Sequence, residues 1–234
     1  MIDLNRMRTL CRIFPATVIL LSIALASVHA QTKDGARIPV DHAEQLVAAW
    51  LQAHQLHNGA ARNPHPQLKD ITPPDVWKRL GAQVFKQPGV TASIQEADAY
   101  LIRKGTVFPL SIGFGGSGLT SMCVCDLNRD GKLKLAYTYS WGSGITRSHL
   151  AVLYLEPFPQ KFESDFQYRG DLLLKNKNDD LVNVYIVTVE QKSKPVQGPL
   201  LGRLTFNRNK RPALGVELNP GLPKKWGDGI WKTK

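Results

Sequence analysis

Apolar and polar residues along this chain follow two rhythms, helical in the first half and extended in the second. Between residues 41 and 57, Ala43, Leu46, Val47, Trp50, Leu51 and His54 recur at i, i+3, i+4 spacing, the period of a helix with one buried face. Asp41 and Glu44 fit a capping box at its start, and Asn58-Gly59 suits its end. A Pro-containing connector, Arg62 to Lys69, follows. Thr72-Pro73-Pro74-Asp75 then predicts a second helix with a capping Thr and a Pro in its first turn, and Val76, Trp77, Leu80, Val84 and Phe85 as its buried side. Ser93 and Glu96 form another capping box and predict a third, shorter helix running to about Lys104.

After Gly105 the rhythm changes. Val107 to Ile112 reads as extended, and Leu119 to Cys125 and Leu133 to Ser140 read as paired strands rich in β-branched, aromatic and small apolar residues. Further strands are expected at 149–155, 166–174, 181–189, 199–206 and 212–217, with Asn176 to Asp180 as a hairpin turn before Leu181. The pattern predicts an α+β fold: about three N-terminal helices packed on a mainly antiparallel β sandwich or curled sheet of about seven to eight strands. No long-period repeat is evident, so the chain cannot build a propeller by itself.

The first 30 residues add a destination. Arg6, Arg8 and Arg12 precede an apolar run, Ile13 to Val28, and Val28-His29-Ala30 offers a cleavage site before Gln31. This is the layout of a secretory signal peptide and predicts an extracytoplasmic protein, periplasmic or secreted. The organisation expected is therefore a signal peptide (1–30), a helical region (31–105), an antiparallel β domain (106–220) and a basic C-terminal tail (221–234). Only Cys123 and Cys125 follow the cleavage site, which excludes a disulfide framework. Two residues apart on a strand, their Cα atoms lie roughly 6.5–7 Å apart, the edge of disulfide reach, so buried reduced thiols are the simpler expectation.

Charge is uneven. The formal net charge is +11, and residues 191–234 carry ten Lys and Arg against Glu217 and Asp228. Such a basic region favours anionic partners, here envelope glycans or lipid head groups rather than nucleic acid, while a solvated basic face is the plainer alternative.

The densest candidate chemistry is Asp126-Leu127-Asn128-Arg129-Asp130-Gly131-Lys132, set between two predicted strands. Oxygen side chains at alternate positions closed by Gly can wrap a hard cation. The run resembles the calcium-binding hairpin loop of FG-GAP and VCBS repeats more than an EF-hand, whose twelfth-position Glu is here Tyr137. The resemblance implies Ca²⁺ held by Asp126, Asn128 and Asp130 through side chains and by Lys132 through its backbone carbonyl. It departs from the family at the last ligand position, which is Lys134 instead of Asp and sets an ammonium where a cation wants an oxygen. With two carboxylates, affinity would fall toward roughly 10⁻⁴–10⁻³ M. The metal-free reading is an Asx-type turn with Gly131 at positive φ.

Other motifs are weaker. Gly113-x-Gly115-x-x-Gly118 matches a dinucleotide fingerprint as a string, but a strand is predicted after it where a helix is required. Trp141, in the Gly/Ser loop that follows the second hairpin strand, is a candidate ligand platform or a ring packed over its own turn. Ser117 and Ser143 sit among glycines, yet neither completes Gly-x-Ser-x-Gly. His54, His57 and His65 are a weak metal-ligand set. The expected function is a non-enzymatic binding or interaction domain. The alternative is an extracytoplasmic hydrolase of an anionic or glycan substrate, using Asp126 and Asp130 with His149 as base; it requires these three to converge in one concavity.

Overall fold

The computed structural model describes residues 36–58, 66–88, 97–111, 116–142, 146–157, 159–189 and 195–232. The expected signal peptide lies outside them. So do the start of the expected third helix and the loop centre at residues 112–115.

The fold is α+β. Helix α1 (Val40–Asn58) is followed by β1 (Lys69–Asp70), α2 (Pro74–Leu80), β2 (Gln83–Lys86), β3 (Ala99–Arg103) and β4 (Thr106–Pro109). These four strands form a small antiparallel sheet in sequence order. Next come β5 (Gly118–Cys125), β6 (Lys134–Trp141), β7 (Arg147–Tyr154), β8 (Gln160–Arg169), β9 (Leu172–Asn178), β10 (Leu181–Val189), β11 (Pro195–Phe206) and β12 (Leu214–Leu218). A one-turn helix α3 (Lys224–Gly227) and β13 (Ile230–Lys232) complete the chain.

The large sheet runs β5-β6-β7-β8-β12-β11-β10-β9, with β13 paired to β8. Among the described residues of its named strands, β12 and β8 form the one parallel pair, at Leu214↔Ser164. The sheet curls until its ends, β5 and β9, lie side by side as a near-closed barrel. Side chains stitch that seam: Leu174 N–H donates to Ser121 Oγ at 2.9 Å, Asn176 Nδ2 to Val124 O at 2.5 Å and Thr138 Oγ1 to Leu172 O at 3.1 Å.

Three apolar layers follow from strand alternation. Cys123, Cys125, Ala136, Leu150, Val152, Tyr154, Leu174, Val184 and Leu201 share the barrel's interior core. The opposite faces of β5, β6 and β7, with Leu119, Val124, Leu135, Tyr137 and Leu153, pack on α2 and on Ala99 and Leu101 of the small sheet. Beyond that sheet, Phe85, Tyr100 and Ile102 meet Ala43, Val47 and Leu51 of α1. The two thiols are free and buried, and burial pushes the Cys125 thiol up to about 12.

Several boundaries differ from expectation. Helix α2 stops at Leu80 because Gly81 takes a left-handed conformation, φ +58°, and Val84 and Phe85 belong to strand β2. Thr72 does not cap α2; its hydroxyl serves Asp70 and the Val84 amide. Glu44 accepts from Leu68 N–H at 2.9 Å and so ties the connector to α1. Ala99 to Arg103, expected as helix, is strand β3. The strand expected at 166–174 is the end of β8 and the start of β9, separated by a turn at Gly170. The basic C-terminal segment is not a loose tail as far as Lys232, since β13 pairs with β8.

Candidate functional site

Strands β5 and β6 pair from Gly118↔Ser140 to Cys125↔Lys134, and this register puts the acidic loop over one end of the barrel. The loop is wound by its own carboxylates. Asp126 Oδ1 accepts from Asp130 N–H at 3.2 Å, Asp126 Oδ2 from Gly131 N–H at 2.8 Å, and Asp130 Oδ1 from Lys132 N–H at 3.0 Å. Arg129 and Gly131 take positive φ, +53° and +73°.

At its centre is an ammonium group. Lys134, the first residue of β6, has 0 % exposure and turns its side chain to the barrel mouth. Its Nζ donates to Asp126 Oδ1 at 2.6 Å, to Asp130 Oδ1 at 2.5 Å and to Asn128 Oδ1. An ammonium has three donors, and three oxygens take them. Nζ also lies 5.1 Å from the centre of the Tyr154 ring. Burial opposes charge on both partners, but the hydrogen bonds prevail: those from Lys134, Asn128 and the Lys132 amide hold the Asp130 carboxyl well below the usual carboxylate range. Asp126 and Asp130 likewise hold the Lys134 ammonium above the usual lysine value.

These contacts correct the calcium reading. Asp126, Asn128 and Asp130 do point inward as the resemblance implied, but they converge on Lys134 Nζ, and Lys132 contributes its N–H to Asp130. Among the described residues, no group of three or more His, Cys, Asp and Glu side chains is arranged to hold a metal ion. The FG-GAP and VCBS resemblance is overturned at the level of the fold as well, because the loop belongs to a near-closed, barrel-like sheet.

The loop also fastens the seam. Asp126 N–H donates to Asp179 O at 2.6 Å, Arg129 pairs with Asp180, and Leu127 packs on the barrel core. Arg79 from α2 reaches Asp179 at 2.6 Å. The ammonium-centred loop is therefore a clasp between the β5–β6 turn and the β9–β10 turn.

Trp141 ends β6 at the barrel's other end and is 37 % exposed. Its ring stacks on His149 at 5.5 Å, and His149 stacks on buried Tyr139 at 5.2 Å, both with 15° between planes. Tyr139 OH donates to Glu163 Oε1 at 2.5 Å, and Lys161 pairs with the same carboxylate. Burial lowers the His149 pKa, with Lys161 and Arg147 adding to the shift and Glu163 opposing it. Sequence reading named Trp141 and His149 separately; the register Tyr139↔His149 is what assembles the stack.

The three residues of the hydrolase alternative do not meet. Lys134, which holds both aspartates, pairs with Tyr154, five positions along β7 from His149. Five positions of strand span roughly 17 Å, and an odd offset places the two side chains on opposite faces. The weak histidine set fares no better: His54 is stacked on Trp50 at 4.0 Å with Nδ1 2.7 Å from Trp50 O, while the His57 and His65 side chains lie outside the described residues.

In the Gly-rich segment, Gly118 opens strand β5, so no helix follows the fingerprint string. A Cβ at Gly118 would overlap the buried Asp98 carboxylate, which accepts from Leu119 N–H at 3.2 Å and from the Ser111 hydroxyl. Comparison with protein-family models, with curated proteins and with solved structures finds no match to this chain.

Proposed function

We propose that the chain is an exported, non-enzymatic binding domain whose partners are anionic surfaces of the cell envelope, phosphate-bearing glycans or lipid head groups. One observation carries the preference for binding over hydrolysis. The candidate acids Asp126 and Asp130 are committed to Lys134 at one end of the barrel, roughly 17 Å along the strands from His149 and on the other face. Carboxylates that neutralise a buried ammonium are poor general acids, because their protonation breaks the clasp.

The charge pattern supports an anionic partner. Arg203, Arg208, Lys210, Arg211, Lys224 and Lys225 are all exposed. Among the described residues no helix is long and apolar enough to cross a membrane, and the large exposed hydrophobic side chains are Val40, Trp141 and Leu218. Electrostatic attraction is thus better represented on this surface than apolar docking.

The test is co-sedimentation of the full chain with phosphatidylglycerol-containing vesicles and with neutral phosphatidylcholine vesicles. Binding to the first alone, weakened by salt and lost on combined Lys210→Gln, Arg211→Gln, Lys224→Gln and Lys225→Gln substitution, is the expected result. Glycan hydrolysis abolished by both Asp126→Asn and His149→Gln would overturn the reading. Export is tested by cell fractionation, with a mature N-terminus at Gln31 expected.

A further inference from the structure

A groove separate from the basic C-terminal region lies where the small sheet meets the clasp end of the barrel. Two adjoining depressions, of about 540 and about 230 Å³, share Arg103, Lys132, Leu155 and Glu156 in their walls. The larger one adds Lys104 and the ring of Phe108. Three cations from two different parts of the fold therefore border a single depression with one apolar wall.

Their arrangement is built rather than incidental. Arg103 ends β3 and is only 20 % exposed; its Nε donates to Leu80 O at 3.0 Å, which aims the guanidinium into the groove. The other end of the fork donates to Glu156 Oε1 at 2.6 Å. Lys104 and Gly105 form the two-residue turn between β3 and β4, and Lys104 sits there at φ +49°. That conformation suits Gly or Asn and is strained for a lysine. Lys132 arrives from the acidic loop, which the clasp holds in place.

Glu156 is the anion now present, and it is poorly suited to stay. It is 64 % exposed, so it can swing into solvent. The hydrogen bond and charge of Arg103, then the charges of Lys104 and Lys132, hold its carboxyl below the usual range. One carboxylate thus faces three cations and leaves a surplus of positive charge. A dianion would balance more of it, and an arginine fork with two flanking ammonium groups is the donor set that suits a tetrahedral oxyanion. Phe108 and Leu155 leave space for an organic group attached to it.

We propose that this groove binds a phosphate monoester, which displaces the carboxylate of Glu156 and is held by Arg103, Lys104 and Lys132. Glu156 occupies the place of the ligand's anionic group and competes with it for Arg103.

The experiment is calorimetric titration of the full chain at low salt with inorganic phosphate, glycerol 3-phosphate and acetate. Glycerol 3-phosphate should bind with one-site stoichiometry and more tightly than acetate. Glu156→Gln, which removes the competing charge, should tighten it by about tenfold, and paired Lys104→Gln and Lys132→Gln should weaken it by at least about tenfold. Lys210→Gln with Arg211→Gln removes two charges at the same end of the barrel but outside the groove. It should weaken binding far less than the Lys104 and Lys132 pair does, so the groove and the C-terminal basic region stand or fall separately. Binding equal to that of acetate, indifference to Glu156→Gln, or equal loss in the Lys210/Arg211 variant would overturn the proposal. Competition by phosphatidic acid vesicles against bound glycerol 3-phosphate would assign the monoester to a lipid; failure to compete would assign it to a soluble phosphate.

Discussion

Lys134 concentrates more of this protein's physical chemistry than any other side chain. A fully buried ammonium survives because each of its three donors meets an oxygen and two of those oxygens are carboxylates. Lys134→Met keeps the stem and removes the charge, leaving Asp126 and Asp130 facing each other across the gap. The expected cost is about 3–5 kcal/mol, read as a loss in the urea midpoint. Calcium at millimolar concentration, or a chelator, should leave the melting temperature of the native chain unchanged, since stabilisation by a ligand requires a site it can occupy. The pH dependence has two limbs. Asp130, with its pKa lowered, contributes stability above the ordinary carboxylate value and loses it as pH falls through the lowered one. Lys134, with its pKa raised, contributes stability below the ordinary lysine value and loses it as pH rises through the raised one. Lys134→Met should flatten both limbs in a pH series of denaturation midpoints. The sequence made this lysine visible as a departure from a calcium loop, and the loop's inward oxygens were legible too. That the ammonium itself takes the central place depends on β6 register and on the barrel interior, neither of which a loop motif encodes.

At the scale of elements, the seam between β5 and β9 is the place where side chains take over from the strand ladder. Asn176→Ala removes the donor to Val124 O and leaves that carbonyl unpaired, at an expected cost of about 1–3 kcal/mol. Ser121→Ala orphans the Leu174 amide, which should exchange with solvent faster than the amides of β10 in the same molecule. Helices and strands were legible in the sequence where burial is one-sided or where a clear turn brackets the run. Helix α1 and strands β10 and β11 were readable because one face differs from the other. Strands β5 and β6, largely buried on both faces, were readable because the acidic turn between them marks a hairpin. Strand β3 was not: Ala99, Tyr100, Leu101 and Ile102 are all buried, between α1 on one side and the barrel on the other. A strand buried on both faces loses its alternation and reads like a short helix. The same holds for Val84 and Phe85 of β2, which continue the apolar spacing of α2 beyond its Gly81 stop.

For the whole molecule, strand direction sorts the loops into two ends. The β5–β6, β7–β8, β9–β10 and β11–β12 turns lie together, so Lys132, Glu156, Asp179, Arg208, Lys210 and Arg211 share the clasp end. Arg208 lies 4.8 Å from the ring centre of Tyr154, beside the clasp itself. Composition announced a basic C-terminal region; only the topology brings part of it to the same end as a groove built from the N-terminal half. Vesicle binding should therefore weaken as salt rises past about 0.1 M, where the screening length is ~10 Å, while the barrel's melting temperature changes little. The clasp has one further consequence. A dissolved ion reaches its ligands at whatever concentration the surroundings supply, whereas an ammonium eight residues along the same strand pair is present at an effective concentration set by the chain. The hairpin carries its own counter-ion, which dialysis cannot remove and ion-poor media cannot deplete, so the barrel mouth closes in the same way wherever the protein is delivered.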